Sequence, residues 1–174
     1  GVSNVPIASW PLAIPNIKIL SDGVQIHGFT IESPAYELGK YSSGVVIGAQ
    51  NVELYSNDFV VNSAGTIDEV SQAIQTYATS AMPGVDVSGL NMHDNTFTST
   101  GGGAWGYEGI YVNPDAATST VIIQTNDFTG KVLRAITSER SKTTITQNII
   151  TTGLIPGNLS APGAYQGINV RNSG

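Results

Sequence analysis

The residues of this chain best suited to chemistry are the cations of its last third. Residues 131–174 contain five Lys or Arg residues against one carboxylate, Glu139, whereas residues 41–130 contain nine carboxylates and no Lys or Arg. A basic end suits an anionic ligand, and neighbouring carboxylates suit a cation. Chance at this low charge density is the alternative explanation. We therefore look for a ligand near Arg134, Arg140 and Arg171.

A glycine-rich insertion adds aromatic side chains to this region. The segment TSTGGGAWGYE (98–108) carries Trp105 and Tyr107, and its glycines are typical of a loop that can carry function. Exposed rings beside amides, hydroxyls and an arginine suit a sugar, because they offer a flat apolar face and convergent hydrogen bonds. The alternative is that Trp105 only covers the flank of the fold.

Composition limits the class of protein that could hold these residues. The 174 residues include no cysteine, 11% charged residues, a net charge of −6, and 33 Ile or Val against 8 Leu. The β-branched excess favours strands. The missing cysteines exclude a disulfide framework and a cysteine metal site. The negative charge argues against nucleic acid, and no apolar run is long enough for membrane insertion.

Five segments share one pattern, and this repeat predicts the architecture. Each begins with alternating apolar and polar residues, which predicts a strand with one buried face, and each ends on Phe or Ile. An Asn recurs at one position, and because Asn tolerates a left-handed backbone, this column predicts a bend between two strands. The segments are VQIHGFTI (24–31), VELYSNDF (52–59), LNMHDNTF (90–97), VIIQTNDF (121–128) and TTITQNII (143–150).

A second strand precedes the later segments. The candidates are GVVIG (44–48), GIYVN (109–113), AITSE (135–139) and GINVR (167–171). In the middle copy either AIQTY (73–77) or GVDVS (84–88) fills this slot, and residues 67–79 also have the spacing of a short helix; the sequence leaves these alternatives open. Units of 22–38 residues with like residues stacked on like predict a solenoid with parallel strand pairing.

The motif V-x-I-x-x-N-x-F, preceded by G-I-x-V, resembles the right-handed parallel β-helix of the pectate-lyase-like superfamily. The resemblance covers roughly residues 17–171 and implies an all-β fold of about five to six coils. It also implies an asparagine ladder, in which buried amides hydrogen-bond from coil to coil. The ladder residues would be Asn57, Asn95, Asn126 and Asn148. Because this scaffold hosts many functions, the site has to decide the function.

In this superfamily the ligand cleft follows the first sheet, which is built from the G-I-x-V strands. Two columns of side chains would face outward there: Val46, Tyr111, Thr137 and Asn169 in one, and Gly48, Asn113, Glu139 and Arg171 in the next, with Gln75 and Tyr77 added if AIQTY is the missing strand. The candidate ligand-binding residues are therefore Trp105, Tyr107, Tyr111, Asn113, Glu139, Arg140 and Arg171.

The nearest enzyme resemblance is to the alginate lyase and chondroitinase B family. There a Lys and an Arg on the first sheet act beside a calcium ion that neutralises a uronate carboxylate. The resemblance makes Arg171, Arg140 and Glu139 the candidate catalytic residues, although Glu139 stands where the family has its Lys. Polygalacturonase and pectate lyase motifs are absent. No cofactor is expected, except calcium if the protein is a lyase.

The sequence as a whole favours a non-catalytic structural, adhesive or glycan-binding module of an exported or cell-surface protein, with a polysaccharide as partner. A polysaccharide lyase is the alternative. A unit that self-associates end to end is a third hypothesis, because open coil ends expose strand edges. The repeat runs to both ends of the sequence, so we expect residues 1–174 to be one domain truncated at both ends.

Overall fold

The computed structural model describes residues 14–34, 42–62, 71–76, 85–100, 107–112, 119–139, 142–152 and 166–170. These ranges contain strands and the turns between them, and no helix. In particular, they contain no helix long and apolar enough to cross a membrane. The strands are β1 Ile14–Ile19, β2 Gln25–His27, β3 Thr30–Glu32, β4 Ser42–Ile47, β5 Glu53–Tyr55, β6 Asp58–Asn62, β7 Gln72–Thr76, β8 Leu90–His93, β9 Thr96–Thr100, β10 Tyr107–Val112, β11 Val121–Gln124, β12 Asp127–Gly130, β13 Val132–Ser138, β14 Thr143–Thr146, β15 Ile149–Thr152 and β16 Gln166–Val170.

The strands form three sheets in which every pairing is parallel. The first sheet has the order β1-β4-β7-β10-β13-β16, the second contains β2, β5, β8, β11 and β14, and the third contains β3, β6, β9, β12 and β15. Strands of the three sheets follow one another along the chain, so each passage through the sheets forms one coil stacked on the last. This all-β arrangement of stacked parallel strands is compatible with a parallel β-helix and confirms the predicted class.

The middle slot of the first sheet, which the sequence left open, belongs to β7. Residues 72–76 pair with β4 on one side and β10 on the other. Residues 85–88 are not in a strand, and the helical interpretation of residues 67–79 is wrong for residues 72–76. The remainder of that stretch, apart from Ser71, lies outside the described residues. Pairing between neighbouring coils therefore decides what local spacing could not.

The core is built from columns of like residues. Phe59, Phe97 and Phe128 are fully buried, with ring centroids 4.9 and 4.4 Å apart and nearly parallel planes. On the first sheet Ile74, Ile110 and Ile136 occupy one register position and are also fully buried. Burying each such side chain contributes about 1.5–3 kcal/mol. The repeat in the sequence is therefore the repeat of the core.

The four ladder asparagines hydrogen-bond from coil to coil. Nδ2 of Asn57, Asn95 and Asn126 each donates to Oδ1 of the next asparagine, at 3.0–3.1 Å. The backbone N–H of the same three residues donates to the same oxygen. The first coil has Phe29 at this position, and its backbone N–H donates to Asn57 Oδ1 at 3.2 Å. The ladder thus begins at Asn57.

The bend between the second and third sheets is not made by the asparagines, as the sequence had predicted. Positive φ angles of 52–55° fall on the preceding residues, Ser56, Asp94, Thr125 and Gln147, and Gly28 has a φ of 72° in the first coil. The physical reason is that the asparagine side chain must point inward to bond its neighbours. The residue before it therefore adopts the left-handed conformation, even where that residue is a β-branched Thr.

Candidate ligand-binding site on the first sheet

Two rows of non-core side chains cross the first sheet. The register aligns Val46, Gln75, Tyr111, Thr137 and Asn169 in one row, which is the predicted column with Gln75 in its open slot. A second row consists of Ser43, Gln72, Glu108 and Arg134. None of these side chains belongs to the hydrophobic core cluster. We call the polar members Ser43, Gln72, Gln75, Glu108, Arg134, Thr137 and Asn169 the first-sheet cluster.

Glu108 is the centre of this cluster and is only 2% exposed. Its Oε2 accepts a hydrogen bond from Gln72 Nε2 at 2.8 Å, and its Oε1 accepts one from Thr137 Oγ1 at 2.7 Å. Arg134 Nη1 lies 3.6 Å from Oε1. A buried carboxylate requires such partners, because an isolated charge in the interior is strongly unfavourable. The three neighbours therefore hold Glu108 ionised in place.

An irregularity in β10 brings Glu108 into this position. The pairing of β10 with β13 shifts between Tyr107 and Glu108, so that Glu108 lies opposite Arg134. Such bulges re-aim side chains. The next residue, Gly109, lies so close to its neighbours that a Cβ atom would be 2.5 Å from both the Ala135 carbonyl oxygen and the Phe128 ring. A side chain at Gly109 would therefore push β10 away from the core.

The cluster has a buried floor and a half-buried rim. Ser43, Gln72, Glu108 and Thr137 form the floor and are at most 5% exposed. Gln75, Arg134 and Asn169 are half-buried, as is Tyr111 beside them. The expectation that the whole predicted column faces outward is wrong for Val46 and Thr137, which are buried. Alternation along a strand separates core from non-core sides, but it does not establish that the non-core side is solvated.

Several polar atoms of the cluster lack a hydrogen-bond partner. Among the described residues, five buried side-chain nitrogen or oxygen atoms are unpaired, and three of them belong to this face: Gln72 Oε1, Arg134 Nε and Asn169 Nδ2. Buried polar atoms in folded proteins are almost always bonded to protein or to water. Two donors and one acceptor left unpaired on one face therefore mark it as a place for a polar ligand.

Other candidate residues are placed in part. Tyr111 is half-buried in the row beside the cluster. Glu139 follows β13 directly, is half-buried, and donates its backbone N–H to the Val112 carbonyl. Trp105, Asn113, Arg140 and Arg171, together with Tyr77, lie outside the described residues. Sequence reasoning missed Gln72 and Glu108, although a single carboxylate at the start of an apolar strand is a signal that could have indicated Glu108.

Tyr107 is not the exposed ring that the sequence predicted. It is fully buried, and its hydroxyl lies 2.9 Å from the Phe97 carbonyl oxygen and 3.1 Å from that of Thr129. These carbonyls are free because the pairing of β9 with β12 stops at Phe97 and Phe128. Burial raises the pKa of Tyr107 well above its ordinary value. The side chain therefore completes the core and is not offered to a ligand.

The second sheet carries a different outward column, which we call the histidine column: His27, Tyr55 and His93. The rings are stacked, with centroids 4.6 Å and 5.3 Å apart. His93 Nε2 lies 3.1 Å from Glu53 Oε1, and its Nδ1 lies 2.8 Å from Asp94 Oδ2. Partial burial alone would lower the pKa of His93, but hydrogen bonds to the two carboxylates outweigh it and raise the pKa.

The histidine column is poorly suited to bind a sugar or a metal ion. Its rings cover one another, so the flat faces that a sugar would need are already occupied. Within the described ranges, no group of three or more His, Asp or Glu side chains is placed to hold a metal ion. The first-sheet cluster is therefore the better candidate site.

Comparison with family models, with curated proteins and with solved structures finds no match to this chain. The class of the protein therefore depends on its geometry: an all-β chain whose strands stack in three parallel sheets, compatible with a parallel β-helix.

Proposed function

We propose that this protein is a right-handed parallel β-helix of about five to six coils, related to the pectate-lyase-like superfamily, that binds a polysaccharide along its first sheet without transforming it. It would serve as a module of an exported or cell-surface protein. The observation that carries the proposal is the first-sheet cluster with its three unpaired polar atoms. Polysaccharides match such a surface because each hydroxyl can both donate and accept a hydrogen bond.

The stacking of the coils also favours a polymer as ligand. Successive strands of the first sheet repeat about every 4.8 Å. The rows therefore present amides, a hydroxyl and an arginine at regular steps along the axis of the stack. Tyr111 adds a half-buried aromatic ring beside the cluster. A chain of sugars lying along this axis would contact several strands in turn, which a small ligand could not do.

Binding without turnover is proposed because Glu108 is occupied. A general acid or base must reach the proton that it transfers. Glu108 is buried and already accepts hydrogen bonds from Gln72 and Thr137. The lyase hypothesis depends instead on Arg140 and Arg171, which lie outside the described residues, together with Glu139 and a calcium ion. It predicts ultraviolet absorbance growing on alginate, pectate or chondroitin, and we expect none.

A binding assay with matched variants tests the proposal. We expect the wild-type protein to bind members of a polysaccharide array, and Asn169→Ala to weaken that binding about two- to tenfold, the effect of one hydrogen bond. The control is Gln124→Ala, which removes an amide of similar exposure from the second sheet. A wild-type protein that binds no polysaccharide, or equal affinities of the two variants, would overturn the proposal.

A further inference from the structure

The charge of Arg134 is already balanced inside the first-sheet cluster. Its Nη1 lies 3.6 Å from Glu108 Oε1, and the two side chains are 29% and 3% exposed. At this depth a charge pair interacts more strongly than in water. Gln72 and Thr137 hold the carboxylate in place by hydrogen bonds, so it cannot turn away from the arginine. A ligand reaching Arg134 therefore meets a nearly neutral pair.

A second described cation on this face is too far away to change that balance. Lys18 is aligned with Val46 in the outer row, three strands from Tyr111. At about 4.8 Å a strand this is roughly 14 Å. That separation exceeds the Debye length of about 8 Å at physiological ionic strength. An anionic group bound near Arg134 would therefore experience the buried carboxylate of Glu108 and little compensation from Lys18.

The unpaired atoms also distinguish a hydroxyl from a carboxylate. Arg134 Nε and Asn169 Nδ2 are donors, whereas Gln72 Oε1 is an acceptor. A sugar hydroxyl can satisfy both kinds of atom, but an ionised carboxylate only accepts hydrogen bonds. A uronate group at this site would leave the acceptor of Gln72 unpaired and would lie near a fixed negative charge.

We propose that the first-sheet cluster selects neutral, polyhydroxylated sugars and discriminates against uronates. This inference rests on the proposed binding of polysaccharide and names the class of sugar for that site. It reverses the expectation from the basic last third of the sequence, which indicated an anionic ligand. The reversal follows from Glu108, the partner that pairing between β10 and β13 gives to Arg134.

Matched pairs of sugar polymers test the inference. Mannan and polymannuronate oligosaccharides of one length, and galactan and galacturonan oligosaccharides likewise, differ by a hydroxymethyl group against a carboxylate. We expect the wild-type protein to bind the neutral member of each pair at least about tenfold more tightly. Glu108→Gln should reduce this ratio about tenfold or more, because it frees the charge of Arg134. Glu32→Gln, an equal change of charge at an exposed position of β3, should leave the ratio unchanged.

The outcomes separate the two proposals. Preference of the wild-type protein for the uronate polymers would overturn this inference while leaving polysaccharide binding intact. Absence of binding to all four polymers would overturn both. Because Glu108→Gln can also weaken the fold, wild-type affinity for the neutral oligosaccharides is measured against added salt. We expect it to be unchanged, and a steep loss with salt would show that charge drives binding and would overturn the inference.

Discussion

The first-sheet cluster and the histidine column are both outward columns of polar side chains on adjacent sheets, yet they differ in what they leave unsatisfied. Both ring nitrogens of His93 have carboxylate partners, and Glu53 also accepts from Gln25 at 2.9 Å. In the first-sheet cluster, by contrast, Gln72, Arg134 and Asn169 each have an unpaired buried polar atom. The comparison teaches that polar side chains in register do not by themselves make a site, and that unused hydrogen-bonding capacity is the better indicator.

The sharpest contrast between the two regions is in the carboxylate that each contains. Glu108→Ala would leave Arg134, Gln72 and Thr137 without their shared acceptor in the interior, so we expect it to lower the free energy of unfolding by about 2–4 kcal/mol. Glu53→Ala, in which the lost carboxylate is 31% exposed, should lower it by about 1 kcal/mol or less. Denaturant unfolding of both variants measures the difference. Equal losses would contradict the assignment of Glu108 as a buried anchor.

The asparagine ladder lies beneath both regions, and breaking it should affect them equally. Asn95→Ala removes hydrogen bonds to Asn126 Oδ1 and the Leu54 carbonyl, and it leaves Asn57 without its acceptor. We expect a loss of about 1–3 kcal/mol, seen in a chemical melt. The control is Asn91→Ala, a half-buried asparagine of the neighbouring β8, for which we expect a smaller loss. An unchanged melt for Asn95→Ala would contradict the role of the ladder.

The smallest effect concerns pH and separates the histidine column from the first-sheet cluster. Because the folded pKa of His93 is raised, the protonated side chain stabilises the fold fully below the unfolded value of about 6.5, and this contribution disappears as pH rises through the folded pKa. Unfolding measured from pH 6 upward, in wild type and in His93→Gln, should show a decline only in wild type. An NMR titration giving a His93 pKa below that of an unfolded peptide would contradict this prediction.

The columns of the fold were predictable from the sequence, because like residues stack on like in a parallel solenoid. Phe59, Phe97 and Phe128 announce their stack by recurring at one position of the repeat. The bend was misassigned to the asparagines for a physical reason. Tolerance of a left-handed backbone and capacity for buried amide bonding favour the same residue type, so the pattern could not separate the two roles.

The candidate site was predictable only in its first row. Alternation along the strands gave the column of Tyr111, Thr137 and Asn169, and the register confirms that alignment. Glu108 could not be found in this way, because its position depends on a shift in pairing between two coils. Tyr107 was misjudged because its neighbours in sequence are glycines, whereas its hydroxyl bonds carbonyls of the distant strands β9 and β12.

The asparagine ladder also gives the stack of coils an electrical direction. In every step the N–H groups point toward the following coil and the carbonyl oxygen accepts from the preceding one. The amide dipoles therefore align head to tail and add, as peptide dipoles add along an α-helix. Each amide polarises the next, so the bonds strengthen one another. Phe29 has no side-chain amide and ends this series, which leaves the stack with a negative pole at its first coil and a positive pole at its last asparagine.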